Sequence, residues 1–585
     1  MFDTTLNQAL QIDLEQSPVI NIVSQEHLAQ SVKYLGKPPD TPLTPAIARE
    51  IGEREGMKAI LTGTIANLGK QYVITLTAQN TTTGDEIVSE QAQAPDKEHV
   101  LDALAKTATA IRAKLGEDLA SIKKLDTPFG QATTGSLEAF RAYALGDKAH
   151  EKALNIPEAE GHYLRAVELD PNFAMAYARL GVVYVNSGQW AKANKYFARA
   201  FALSKNVSES ERLYIAGHYY QNVTGDVPKV IETLQEAIQT YPGQLDSYIN
   251  INVAYQTLGQ LDQAVSYAQK AVGMRPEDSI SSENLLSGYV GLQRLNEARA
   301  EMARARKLTL DGSTDFAQIK LIAYFFLGEP NEMQRILAQV AGRPDEFPVT
   351  LSAAVTQQFT GRYKQATATV QQAFEQAGHS KAPDSQAGIL LTDAAARGMA
   401  DLCPGDEAAV QQALALDRSK QTQEMAVMAG AVCGGGKALA MAHELATKYP
   451  EDTLIQDVFL PLAKAYGALG AGRPAEALDD ARSAKPYDTI YPGSYVQGLA
   501  YLKLHDAAHA KSAFESAMQA RGNIVFGMGF VPYYAQTQLG LARAYAMGGD
   551  KANAKKAYQD FFVTWKDADA DLPMLVAAKK EFAPL

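Results

Sequence analysis

Small and aromatic residues recurring at a fixed period constrain this chain more than any single motif. Ala159, Tyr163, Ala166 and Pro171 lie at offsets 0, 4, 7 and 12. Adding 34 gives Ala193, Phe197 and Ala200, with Lys205 in place of the proline. After a short insertion Val230, Leu234, Ala237 and Pro242 restore the series; Ala264, Ala268, Ala271 and Pro276 follow, then Ala298, Met302 and Ala305. The first half of each unit repeats too: Tyr177, Leu180, Gly181 and Tyr184 precede Gly188, Tyr248, Ile251 and Tyr255 precede Gly259, and Leu285 and Tyr289 continue. Such a period means stacked supersecondary units, each leaving an apolar face that only its neighbour covers.

A 34-residue helix–turn–helix with small residues at these points resembles the tetratricopeptide signature. Small residues at the crossings let helix axes approach to ~8–10 Å, and the aromatics fill the space between. The resemblance implies a mostly α fold, a right-handed α-solenoid of roughly ten to twelve helix pairs whose inner surface holds a peptide or protein segment. Between about 310 and 430 only fragments keep the pattern, namely Gly328, then Gly361 with Ala366 and Ala373. It returns in Tyr501, Ala510, Phe514 and Ala517, and in Leu541, Tyr545, Ala554, Tyr558 and Phe561.

At 585 residues the chain is too long for one compact core. A net charge of −11 argues against a general nucleic-acid binder, which needs a basic face. No apolar run approaches the ~18 residues of a membrane span. The longest, Leu321 to Gly328, reads as a buried helix, and MFDTTLNQAL has neither the basic start nor the apolar centre of a signal peptide. Two cysteines, Cys403 and Cys433, form neither a disulfide framework nor a thiolate zinc site. Two unpaired buried thiols is the favoured reading, and a single bridge in an oxidising compartment is the alternative.

Gly434-Gly435-Gly436-Lys437 invites a phosphate-loop reading. That loop requires G-x-x-x-x-G-K-[ST] after a strand, but Ala431 and Ala438 hold the first-glycine and hydroxyl positions. Ala438 and Tyr449-Pro450 instead fit the repeat register, which makes the glycines a turn between paired helices. His505 and His509 have the i, i+4 spacing of helical zinc ligands. His505 occupies the turn position and His509 opens the next helix, so they need not share a face. No G-x-S-x-G elbow and no kinase glycine loop or D-F-G triplet occurs. The expectation is a non-catalytic chain with no catalytic, cofactor-binding or metal residue.

Residues 1–125 mix strands and helices. Leu6, Leu10 and Leu14 share a helical face, Val19 to Val23 reads as a short buried strand, and Thr44-Pro45 opens a helix as N-cap and first residue. The period then turns to two in Ala59–Ala66 and Tyr72–Gln79, joined by a hairpin, with a third strand after Gly84-Asp85 and a closing helix. A helix leading to a buried strand is half of a parallel crossover, which predicts that the strand before Asp3 is missing. Residues 126–136, rich in Gly, Thr and Pro, read as a linker; 137–585 forms the array, ending in a capping helix.

Four stretches carry a closer resemblance. FFVTWKDADADLPMLVAAKKEF (Phe561 to Phe582), YPGSYVQGLAYL and ARAYAMGGDKANAKKAYQDF look like the end of repeat regions attached to bacterial membrane-anchored Ser/Thr protein kinases. ILTGTIANLGKQYVITLTAQNTTTGDEIVSEQAQA is similar to the TolB-like α/β unit preceding those repeats. The resemblance implies a sensor or interaction region that follows a kinase domain and one membrane helix. Neither is present here, so no enzyme label transfers. It also implies an extracytoplasmic position if the chain derives from such a kinase, and otherwise a cytoplasmic one. Candidate groove residues on first helices are Val182, Asn186, Asn250, Val253 and Gln256. A lysine clamp for a C-terminal carboxylate is not reproduced there.

Overall fold

A computed structural model describes residues 3–23, 25–38, 41–153, 156–403, 406–434 and 436–585. The chain divides into two compact units. The first comprises Met1–Ser187, Lys192–Val223 and Lys229–Ser247; the second comprises Gly188–Ala191, Thr224–Pro228 and Tyr248–Leu585.

The first unit opens with the helix Asp3–Glu15, which turns Leu6, Leu10 and Leu14 to the core. The helix Pro45–Glu55 starts as expected, with the Thr44 side chain accepting from the Ile47 amide. Strands β1 (Ala59–Leu68), β2 (Gln71–Asn80) and β3 (Glu86–Ala94) form an antiparallel sheet in sequence order. Alternate residues of β2, Ile74, Leu76 and Ala78, are buried. Ile74 and Leu76 pack with Leu101, Leu104, Ala108 and Ile111 of the helix Val100–Lys114. A period-two face thus meets a period-3.6 face.

Val19 to Val23 departs from the expected strand. It lies outside the sheet, with a bend at Val19, which is 66% exposed. Ser17 Oγ accepts from the amides of Val19 (3.3 Å) and Ile20 (3.2 Å), taking up donors a ladder would need. The stretch 126–136 also differs from a loose tether. It carries the short helix Phe129–Ala132, and buried Phe129 stands edge-on to Phe140 at 4.9 Å.

From Leu137 onward the chain is built of helix pairs. Ala159, Ala193, Ala264 and Ala298 are all fully buried, as close helix crossings require. Within a pair, the offset-4 side chain fills the space left by a glycine on the first helix. In the first unit Tyr163 lies against Gly146, Phe197 against Gly181 and Leu234 against Gly217. In the second, Phe514 lies against Gly498. The stretch where the pattern fades is helical as well, with pairs such as Phe347–Phe359 with Tyr363–His379 and Lys420–Val432 with Gly436–Lys448. Tyr363–His379 and Pro383–Met399 each run 17 residues, which stretches the period although Ala366 and Ala373 remain fully buried. Pro573–Phe582 closes the second unit, burying Met574, Leu575 and Ala578 beside Tyr558, Phe561 and Trp565.

Cys403 and Cys433 are joined by a disulfide across 30 residues, with Cα atoms 5.7 Å apart, which corrects the free-thiol expectation. Cys433 caps the helix Lys420–Val432, which packs on Pro383–Met399, and Cys403 follows the end of the latter. Adjacency of these two first helices brings the sulfurs together. Among the described residues no helix is long and apolar enough to cross a membrane.

Candidate functional site

In the first unit, three first helices carry polar and aromatic side chains at one-turn spacing. Leu137–Ala153 carries Tyr143, Asp147 and His150; Ala174–Asn186 carries Arg179, Val182 and Asn186; Glu209–Tyr219 carries Tyr214 and His218. Spacings of three and four residues put each set on one helix face.

These side chains are knitted together. Asp147, 7% exposed, accepts from Tyr163 Oη and from Gln8 Nε2, both at 2.5 Å, and is ion-paired with Arg179 Nε at 3.3 Å. Arg179 Nη1 donates to Tyr214 Oη at 3.1 Å, with the guanidinium 5.3 Å from that ring. Tyr214 lies edge-on to His218 at 4.5 Å, and His218 stacks flat on Phe197 at 5.1 Å. His218 Nε2 is buried without a hydrogen-bond partner. Burial, with the Arg179 charge adding to it, pulls both His218 and His150 down to about 4, so both imidazoles are neutral at pH 7. Burial also pushes the Asp147 carboxyl up, against the pull of Arg179 and of its hydrogen-bond donors.

Two of the sequence-predicted residues fall on this face. Val182 is half-buried, and exposed Asn186 contacts His150 Nε2 through Nδ2 at 3.2 Å. Asn250, Val253 and Gln256 belong to the second unit, on the helix Leu245–Thr257, and are half-buried. Gln256 Nε2 donates to Asn252 Oδ1 at 3.1 Å and to the Asn284 carbonyl at 3.4 Å; Asn252 in turn donates to the Ala264 carbonyl at 2.6 Å. Tyr143, Asp147, His150, Arg179, Tyr214 and His218 were not singled out by the sequence. The signal that marks them is a polar or aromatic residue on the same helix face as Val182 in the preceding and following repeats.

The decoy motifs fall in turns. Gly434, at φ +73°, follows the helix Lys420–Val432, and Lys437 is ion-paired with Glu407; Gly435 lies outside the described residues. His505 sits in a turn at φ +57°, whereas His509 is on the helix Ala507–Ala517 with Nδ1 2.7 Å from Asp506. Among the described residues no three His, Cys, Asp or Glu side chains are grouped to hold a metal ion. A cleft of about 420 Å³ in the first unit is lined by Lys205, Arg212 and Lys229, balanced by Glu232 and Glu236. Arg212 is held by Glu209 at 2.7 Å.

Helix pairs with interlocked glycine and aromatic positions define a helical-repeat fold of the tetratricopeptide type. Residues 162–193 and 245–278 each match the tetratricopeptide repeat family. The chain is 21% identical over 126 residues to the anaphase-promoting complex subunit CDC16 of Saccharomyces cerevisiae, a match covering 21% of this chain and 15% of that protein. Among solved structures it is similar to YrrB, described as a TPR protein with an unusual peptide-binding site (18% identity, 33% of this chain, 96% of that chain, TM-score 0.22). It is also similar to the human IFIT1 dimer with m7Gppp-AAAA (14% identity, 70% of this chain, 95% of that chain, TM-score 0.32).

Proposed function

We propose that the chain is a non-catalytic scaffold that binds a protein or peptide segment across its first helices. The observation carrying this reading is the face formed by His150, Val182, Asn186 and Tyr214, where an exposed amide borders half-buried apolar and aromatic surface. Val182 supplies apolar contact and Asn186 hydrogen-bonds a ligand backbone. Asp147 and Arg179, held by Tyr163 and Tyr214, fix the surrounding side chains. In the second unit Asn250, Val253 and Gln256 present a separate surface of the same kind. The neutral imidazoles and the net charge of −11 favour a protein ligand over a polyanion such as nucleic acid.

The resemblance to repeat regions of bacterial membrane-anchored kinases makes a sensor or interaction region of a signalling protein the cellular reading we adopt, with residues 1–125 as its TolB-like part and 137–585 as the array. Selecting a peptide library on the full chain tests the binding function. Peptides that lose at least tenfold in affinity to Asn186→Ala, with the unfolding midpoint unchanged, support it. A library that yields no such peptide, alongside turnover of a small substrate, favours an enzyme with a site formed from distant residues.

A further inference from the structure

One segment of the second unit does not behave as a repeat connection. Ala510 and Ala554 hold equivalent positions yet lie 44 residues apart instead of 34. The surplus falls between the helices Ala507–Ala517 and Tyr534–Met547. It begins with a nine-residue 3₁₀ stretch, Met518–Phe526, although such runs seldom exceed 3–4 residues.

This segment is laid along the first helices of earlier repeats. Ile524 and Val525, 2% and 3% exposed, sit in one cluster with Val290 of Ser279–Gly291, Phe316 of Thr314–Leu327 and Val355 of Phe347–Phe359. Gly522 packs so closely on the end of Ser279–Gly291 that a Cβ would lie 2.6 Å from the Val290 carbonyl. The next stretch is held less tightly. Phe526, Met528 and Phe530 are half-buried, and Gly527 and Gly529 take φ of +90° and +87°. Met528 drops over Gly388, where an added Cβ would lie 2.9 Å from Sδ, with Met425 beside it. The Gly529 amide donates to Thr392 Oγ1 at 3.0 Å. Phe530 lies 6.0 Å from the Tyr491 ring.

We infer that Phe526–Val531, which turns at Met528–Gly529 with the Phe530 amide donating to the Gly527 carbonyl at 3.3 Å, is an internal stand-in for a ligand, and that the track beneath it accepts a peptide presenting an unbranched apolar side chain on a glycine-flanked turn, flanked by aromatics. The inference rests on the binding-scaffold reading. Gly388 supplies depth for a flexible thioether side chain, Thr392 accepts from a ligand amide, and Tyr491 receives an aromatic. Buried Ile524, Val525 and Tyr533 anchor the segment on both sides, so the tongue can leave without the repeats separating.

The test uses the full chain and a fluorescein-labelled peptide of sequence GNIVFGMGFVPY. The variant Phe526→Ser with Met528→Ser and Phe530→Ser loses the internal competitor and is expected to bind the peptide at least tenfold more tightly than the wild type. Adding Gly388→Ala should reverse most of that gain. If the triple variant misfolds, Met528→Ser alone should give a smaller gain of the same sign. Equal affinity in folded variant and wild type overturns the inference, and so does a gain indifferent to Gly388→Ala. Library peptides that still bind through Asn186 in that case leave the general scaffold reading standing.

Discussion

The ring of Phe197 stands where a methyl group on Gly181 would have to go: a Cβ there would lie 2.5 Å from Phe197 Cε1. Both residues are fully packed parts of one helix pair, and the contact recurs at Gly146 with Tyr163 and at Gly498 with Phe514. The repeat is therefore a lock of a missing side chain and a ring, with buried alanines easing the crossings between helices.

Gly181→Ala gains about 1 kcal/mol of helix propensity but overpacks this contact by ~1–3 kcal/mol. Net destabilisation is expected in urea unfolding. Phe197→Leu in the same chain should relieve the clash, giving a coupling energy of the opposite sign in a double-mutant cycle.

Arg112 and Glu117 form a fully buried bidentate pair, with both bonds at 2.9 Å, and Arg112 also reaches Asp126 at 2.7 Å. Glu117→Ala removes the bidentate partner and leaves the buried guanidinium only Asp126 and the Asp13 carbonyl at 3.4 Å, so a loss of about 3–5 kcal/mol is expected. Replacing both residues with Met and Leu should cost clearly less in the same denaturation series.

His218 is held near a pKa of about 4 by burial, below the ~6.5 of an unfolded histidine. The unfolded chain therefore binds the extra proton first, and stability falls as the pH drops from about 6.5 to about 4, by up to ~3 kcal/mol from this residue. Groups facing it act on the size of the effect: Arg179 deepens it and Asp246 opposes it. His218→Phe keeps the stack on Phe197. Its unfolding midpoint should fall less between pH 7 and pH 5 than that of the wild type.

The Cys403–Cys433 bridge closes a 30-residue loop, which contributes ~2–4 kcal/mol by constraining the unfolded chain. Cys403→Ser with Cys433→Ser should lower the midpoint accordingly. Non-reducing peptide mapping of the purified chain should recover one cross-linked pair.

Much of this architecture is legible in the sequence because alanine at a helix crossing tolerates few substitutes. Ala159, Ala193, Ala264 and Ala298 therefore mark the repeat by themselves. Val182 and Asn186 could be placed on one first-helix face from their position within the unit. Asp147, His150, Tyr214 and His218 could not, since a polar residue on a helix surface ordinarily reads as solvated; only the packing of three helices shows them as one network. Val19 to Val23 has the composition of a strand, but Ser17 takes up its amides. The segment Phe526–Val531 is an insertion and carries no period, and its meaning lies in residues far away in the chain, Gly388 and Thr392.

Hydrogen exchange of the full chain, with and without a selected peptide, tests the binding face most directly. Protection on the helices Leu137–Ala153, Ala174–Asn186 and Glu209–Tyr219 around His150, Asn186 and Tyr214 is the predicted result. Protection confined to second helices such as Trp190–Leu203, with those three unchanged, contradicts it.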